Sequence, residues 1–114
     1  MGAICLNTYY GFIGQFMAHP GQRDQLVPIL LEAADALQDN PDCLLYTIST
    51  RGEDPVGIWS TEIWTSKESH DASLKPNKIQ AIIQRAMPHI AAIGETTELE
   101  VAGGKGLARL SGIE

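Results

Sequence analysis

Hydrophobic and polar positions alternate along this chain in two rhythms, one of period two and one of three to four residues. From Tyr10 to Met17 (YGFIGQFM) the run is aromatic and apolar, and His19-Pro20-Gly21 stops it, which predicts a strand followed by a tight turn. Leu26, Ile29, Leu30, Ala33, Ala34 and Leu37 then recur at helical steps, with Gln25, Glu32, Asp35 and Gln38 between them. That spacing predicts an amphipathic helix over about 22–39. Pro28 falls inside it and lacks the N–H that would reach the Asp24 carbonyl, so either the regular helix begins near Gln25 or its first turns bend.

Asn40-Pro41-Asp42 ends the helix, and Cys43–Thr50 (CLLYTIST) reads as a second strand. Arg51–Pro55 is turn chemistry and Val56–Trp64 (VGIWSTEIW) a third strand, so the two form an antiparallel hairpin. Ser66-Lys67-Glu68-Ser69 can cap a short helix that breaks near Lys75-Pro76. A second amphipathic run starts at Asn77, with Ile79, Ile82, Ile83, Ala86 and Ile90 on one stripe and Pro88 kinking or shortening it. Glu95–Val101 (ETTELEV) closes as a strand with Glu98 and Glu100 on one face and Leu99 and Val101 on the other. The expected division is one domain over 1–102 and a Gly-rich tail over 103–114.

Strand–helix–strand–strand–helix–strand is the ferredoxin-like βαββαβ order, an α+β fold with a four-stranded antiparallel sheet. Helices cover one face of such a sheet, and the other face should be polar. Here both faces are apolar. Phe12 and Phe16 alternate with Ile13 and Met17; Cys43 and Leu45 oppose Leu44, Tyr46 and Ile48; Ile58 and Trp64 oppose Trp59 and Ile63. A lone domain would expose one set as a broad patch, so a homodimer pairing the second faces is expected, with Trp59 in the interface.

Composition narrows the function. With 14 acidic and 8 basic side chains the 114-residue chain carries a formal charge of −6 and no basic cluster, which argues against nucleic acid and anionic membrane surfaces as partners. Met1–Tyr10 has no basic segment leading into a long apolar core, and no run approaches the ~20 apolar residues of a membrane span, so a cytoplasmic location is expected. Cys5 and Cys43 make no disulfide framework. The three histidines lack metal-ligand spacing, so no metal site is expected. Gly103-Gly104-Lys105-Gly106 lacks the upstream glycine and following Ser or Thr of a phosphate loop, and reads as a tail able to reach over a partner subunit.

Three stretches carry a family resemblance: His19-Pro20-Gly21-Gln22 before the first helix, Pro41–Tyr46 (PDCLLY), and Glu62-Ile63-Trp64-Thr65-Ser66-Lys67-Glu68 at the end of the third strand. In their order and spacing they resemble the antibiotic biosynthesis monooxygenase domain, close to its quinol monooxygenase branch, from about Phe12 to Val101. The resemblance implies a dimeric α+β barrel with a pocket between the sheet and the helices of each subunit. It also implies an oxygenase without flavin, haem or metal, in which an aromatic substrate, as its anion, passes an electron to dioxygen. Two histidines of many relatives fall here on Ser73 and Lys78, which leaves open a binding or stress-response module that keeps the fold without the chemistry. Haem-degrading relatives need Asn, Trp and His where this chain has Gly14, Ser73 and Ile83, so that activity is rejected.

Glu62 is the one carboxylate inside an otherwise apolar strand. Facing the pocket, it would have a raised pKa and move protons near neutrality; the plainer alternative is an ion pair or hydrogen bond to a neighbouring strand. His70, on the short helix that relatives use as a lid, could accept a phenol proton, or could simply be a surface residue. These two are the catalytic candidates. Trp64 shares a face with Glu62 and is either a stacking wall for a planar substrate or core packing. Tyr46 could donate its hydroxyl to a substrate oxygen, though a half-buried tyrosine with its tip in solvent is the favoured reading. Phe16 and Ile83 complete the expected substrate lining. His89 is expected late in the last helix, near its negative end, and His19 in a turn.

Overall fold

A computed structural model describes residues 8–107; Cys5 and the tail residues 108–114 lie outside them. The elements are β1 (Tyr9–Ala18), α1 (Arg23–Ala36), β2 (Cys43–Thr50), β3 (Gly57–Trp64), α2 (Lys67–Ala72), α3 (Asn77–Ala86), a 3₁₀ turn (Met87–His89) and β4 (Ile90–Val101). The sheet runs β2-β3-β1-β4 with every neighbour antiparallel. This is the ferredoxin-like α+β arrangement.

α1 starts at Arg23, where the Gln25 and Leu26 N–H groups already bond the Gln22 carbonyl at 3.1 and 3.0 Å, so Pro28 lies inside a helix that begins upstream of Gln25. Pro28 is exposed, so the lost bond sits at the surface of the helix. The helix stops at Ala36 rather than Asp39, because Leu37 and Gln38 bond the carbonyls of Ala34 and Asp35 in tighter i→i+3 turns. Ser66 caps α2 reciprocally with Ser69, as the sequence suggested.

The last helix differs from expectation. α3 ends at Ala86, Pro88 falls in the 3₁₀ turn, and Ile90 opens β4 instead of extending the helical stripe. β4 therefore begins five residues before Glu95. Its first half shifts register against β1 between Gly14 and Phe16 and again between Met17 and Ala18, which breaks the alternation that marks a strand in sequence. His89 follows the helix, its Nδ1 2.9 Å from Gln22 Oε1.

Leu26, Leu30, Ile58, Ala18 and Ala86 form the buried core between α1, α3 and the sheet. Their strand members stand on the face that also carries Phe12, Phe16, Glu62 and Trp64. A bulge in β2 alters one assignment: Cys43 pairs with Trp64 and Leu45 with Ile63, so two steps of β2 oppose one step of β3. Cys43 therefore shares the helix-covered face with Tyr46, and only Leu45 of that pair faces away. The second face presents Ile13, Met17, Trp59 and Ile63, half-buried by one another, beside exposed Leu45 and Leu99. Among the described residues no helix packs there.

Candidate functional site

β3 aims three polar side chains, Ser60, Glu62 and the indole of Trp64, into the layer between sheet and helices, because positions two apart in a strand share a face. Glu62 is 6% exposed. Its Oε1 accepts a hydrogen bond from Trp64 Nε1 at 3.0 Å and its Oε2 one from the Ser60 hydroxyl at 3.1 Å. Burial pushes the Glu62 carboxyl above its ordinary range, while Trp64, the His70 charge and Ser60 pull it partly back.

His70 comes from α2, and its side chain is 12% exposed. Nε2 lies 3.7 Å from Glu62 Oε1 and Nδ1 lies 2.9 Å from Asp71 Oδ1. The imidazole stacks on Phe12, with centroids 5.1 Å apart at 27°, and takes the Trp64 ring edge-on at 5.6 Å and 84°. Tyr10 covers it from the outside at 5.4 Å. The Tyr10 hydroxyl donates to Glu98 at 2.6 Å, and Lys67 reaches both Glu98 at 3.6 Å and Asp71 at 3.4 Å. A surface histidine is thus not what the fold makes of this residue.

Ser60, Glu62 and His70 line one end of a cavity of about 350 Å³. Phe12 and Phe16 of β1, Tyr46 of β2, Ser60 and Glu62 of β3, and Ile90 and Ile93 of β4 form its sheet wall. Leu30 of α1, His70 of α2, and Ile82, Ile83 and Ala86 of α3 form its helical wall, with Leu74 and Met87 completing it. Polar groups gather at the Glu62 end, and the remainder is hydrocarbon. Exposed Leu74, Met87 and Ile93 stand at 44%, 58% and 59%, which opens one side of the cavity to solvent. The volume suits a small aromatic molecule.

Of the residues singled out by sequence, Glu62, His70, Tyr46, Phe16 and Ile83 meet around this cavity. Trp64 does not line it: the ring is fully buried behind Glu62, where it packs and donates. Tyr46 is half-buried, as the favoured reading had it, but its side chain lines the cavity, and its pKa is pushed up by burial first and by the Glu62 charge second. Ser73 is buried and donates to the His70 carbonyl at 2.5 Å, while Lys78 is exposed. Sequence reasoning missed Ser60, although its position two residues before Glu62 placed it on the same face. It also missed Asp71, whose contact with His70 depends on side-chain directions that spacing does not give. Among the described residues no cluster of three or more His, Cys, Asp or Glu could hold a metal ion, and no helix is long and apolar enough to cross a membrane.

The antibiotic biosynthesis monooxygenase profile matches residues 10–85, from the start of β1 nearly to the end of α3. A crystal structure from Chloroflexus aurantiacus named for that family is 44% identical, with a TM-score of 0.80 over 89% of this chain and 100% of its own. The chain belongs to the antibiotic biosynthesis monooxygenase family. More distant structures share the fold alone. One from Caulobacter crescentus has 15% identity and a TM-score of 0.71 over 88% of this chain and 93% of its own. SnoaB of Streptomyces nogalater, a cofactor-independent oxygenase, has 11% identity and a TM-score of 0.72 over 86% and 97%. No curated protein matches the chain.

Proposed function

We propose that this protein is a cofactor-independent monooxygenase that oxidises a small aromatic quinol or polyphenol with dioxygen, as a homodimer. One observation carries the reading: a hydrocarbon cavity with a single buried carboxylate–imidazole pair, Glu62 and His70, at one end. A quinol ring fits the apolar lining, and its hydroxyl meets the one place where a proton can be taken. Removing that proton makes the ring electron-rich enough to reduce dioxygen, and a ring seated in the hydrocarbon lining displaces water from around the radical pair and the peroxide that follow. Quinol plus dioxygen gives hydroxyquinone plus water. Four electrons leave the substrate and four enter dioxygen, so the stoichiometry calls for no further electron carrier. The proton held at Glu62 and His70 returns to the peroxide oxygen that departs as water. Tyr46 donates to the substrate oxygen, Phe16 and Ile83 hold the ring, and Trp64 acts behind the wall by fixing Glu62.

The homodimer follows from the uncovered second face of the sheet. Ile13, Met17, Trp59, Ile63, Leu45 and Leu99 form an apolar set that a second copy would bury against itself. We place the domain boundary after β4, with the Gly-rich tail from Gly103 outside it. SnoaB supports the chemistry only to the extent that the same fold hosts cofactor-independent oxygenation there.

Dioxygen uptake by metal-stripped protein with a panel of naphthoquinols tests the activity. Uptake above the uncatalysed rate is expected with at least one, and its near-abolition in Glu62→Gln. Uncatalysed rates across the whole panel would overturn the proposal.

A further inference from the structure

Two carboxylates flank one imidazole, and they are unlike. Glu62 lies under the ring with a side chain 7% exposed, whereas Asp71 stands at the surface with a side chain 52% exposed. Asp71 Oδ1 is 2.9 Å from His70 Nδ1, a hydrogen-bond distance, while Glu62 Oε1 is 3.7 Å from Nε2, too long for a hydrogen bond and an ion pair only when the ring is protonated. An ionised carboxylate only accepts. Its partner nitrogen must therefore carry the proton.

We infer that Asp71 is a positioning residue for His70: it fixes Nδ1 as the protonated ring nitrogen, so that Nε2 presents its lone pair to Glu62 and the cavity. The catalytic consequence rests on the oxygenase reading above; the tautomer itself rests only on the ring geometry. The His70 hydrogen bond, and after it Lys67, lowers the Asp71 carboxyl from its ordinary value against a small opposing cost of desolvation, which favours the anion where the acceptor is needed. Lys67, one helical turn before Asp71, braces it at 3.4 Å. Phe12, Trp64 and Tyr10 pack around the imidazole and hold the plane of the ring. Among the described residues the charged or titratable groups around the imidazole are Glu62 from β3, Tyr10 with its partner Glu98 from β1 and β4, and Lys67 and Asp71 from α2 itself.

This arrangement divides the labour between the two nitrogens. Nδ1 stays anchored to the outer carboxylate throughout, and Nε2 alone exchanges a proton with Glu62 or with a substrate hydroxyl approaching from the cavity. With the opposite tautomer, Nε2 would already carry hydrogen and could accept nothing. Asp71 does not line the cavity, so it acts on the proton step and not on substrate binding.

The full-length chain suffices for the test. Nitrogen-15 NMR of the histidine ring nitrogens is expected to show His70 protonated at Nδ1 when neutral. In Asp71→Ala, which removes the acceptor but suits a helix, the population is expected to move toward the Nε2 tautomer. In the quinol-dependent dioxygen assay kcat is expected to fall about tenfold or more with KM unchanged. Asp71→Asn, which keeps an acceptor oxygen, is expected to hold the tautomer and recover most of the rate. A wild-type ring protonated at Nε2, or an Asp71→Ala ring still held at Nδ1, overturns the inference. Equal loss in both variants with a raised KM does so as well, because it marks Asp71 as a support of α2 only. If wild-type protein consumes no dioxygen, the oxygenase reading fails while the spectra still decide the tautomer.

Discussion

Trp64 Nε1 donates to Glu62 Oε1 at 3.0 Å from two positions further along the same strand. The largest fully buried side chain among the described residues thus serves as a hydrogen-bond donor to the buried Glu62 carboxylate. Packing and proton chemistry are joined in one contact, since the indole both fills the layer beneath α2 and stabilises negative charge on Glu62. Trp64→Phe keeps most of the ring volume and removes the donor. Leaving a buried charged acceptor with one partner fewer is expected to cost about 1–3 kcal/mol at neutral pH, read from urea unfolding. Much of that loss should return in acid, where the carboxyl is protonated.

Glu62 also gives stability a recognisable pH signature. Burial raises its folded-state pKa above the model-peptide value of 4.5, so the folded chain binds this proton more tightly than the unfolded chain. Its contribution therefore favours folding below the unfolded value and is lost as pH rises through the folded one. Glu62→Gln removes that dependence. Urea midpoints followed from about pH 4 to about pH 8 should show the wild type losing ground to the variant as pH rises. The carboxylates with lowered values, Asp54, Asp71 and Glu98, act in the opposite sense but cancel in the comparison. Parallel curves would contradict the burial of a raised carboxyl.

Tyr46→Phe deletes the only hydroxyl that β2 contributes to the cavity wall. A single neutral hydrogen bond to substrate is worth about 1 kcal/mol, so kcat/KM is expected to fall about five- to tenfold. Thermal stability should hold, because the ring still packs.

On the opposite face of the sheet, Trp59→Glu places a charge in the middle of the apolar set. Wild-type protein is expected to sediment at twice 12.4 kDa at micromolar concentration, and the variant at 12.4 kDa. A wild-type mass already equal to one chain would remove the case for a dimer.

Much of the fold was legible because its alternations are strong. Phe12 and Phe16, Glu62 and Trp64, and the Ile79-Ile82-Ile83-Ala86 stripe each fixed a face, and those faces enclose the cavity. Three features escaped for local reasons. The bulge at Leu44 turned Cys43 to the helix side, and a uniform alternation cannot register one extra residue. The start of β4 was hidden by two register shifts against β1 and by Pro88, which let Ile90 pass for a helical position. Tyr46 was read as a half-buried strand tyrosine with its tip in solvent, and alternation alone could not show that helices distant in sequence build a cavity beside it. The His70–Asp71 contact needed rotamers that no spacing rule supplies. The Glu62–His70 pairing could only be posed as a question, since it joins β3 to a six-residue helix whose seat on the sheet depends on rings from three strand positions.

The measurement closest to the central claim is the fate of labelled dioxygen. With oxygen-18 gas, a naphthoquinol and metal-stripped protein, one labelled atom is expected in the hydroxyquinone and the other in water, and Glu62→Gln should lose the labelled product at an unchanged background rate. Quinone formed without label, or with hydrogen peroxide as the reduced product, would contradict oxygen insertion in the Glu62–His70 cavity.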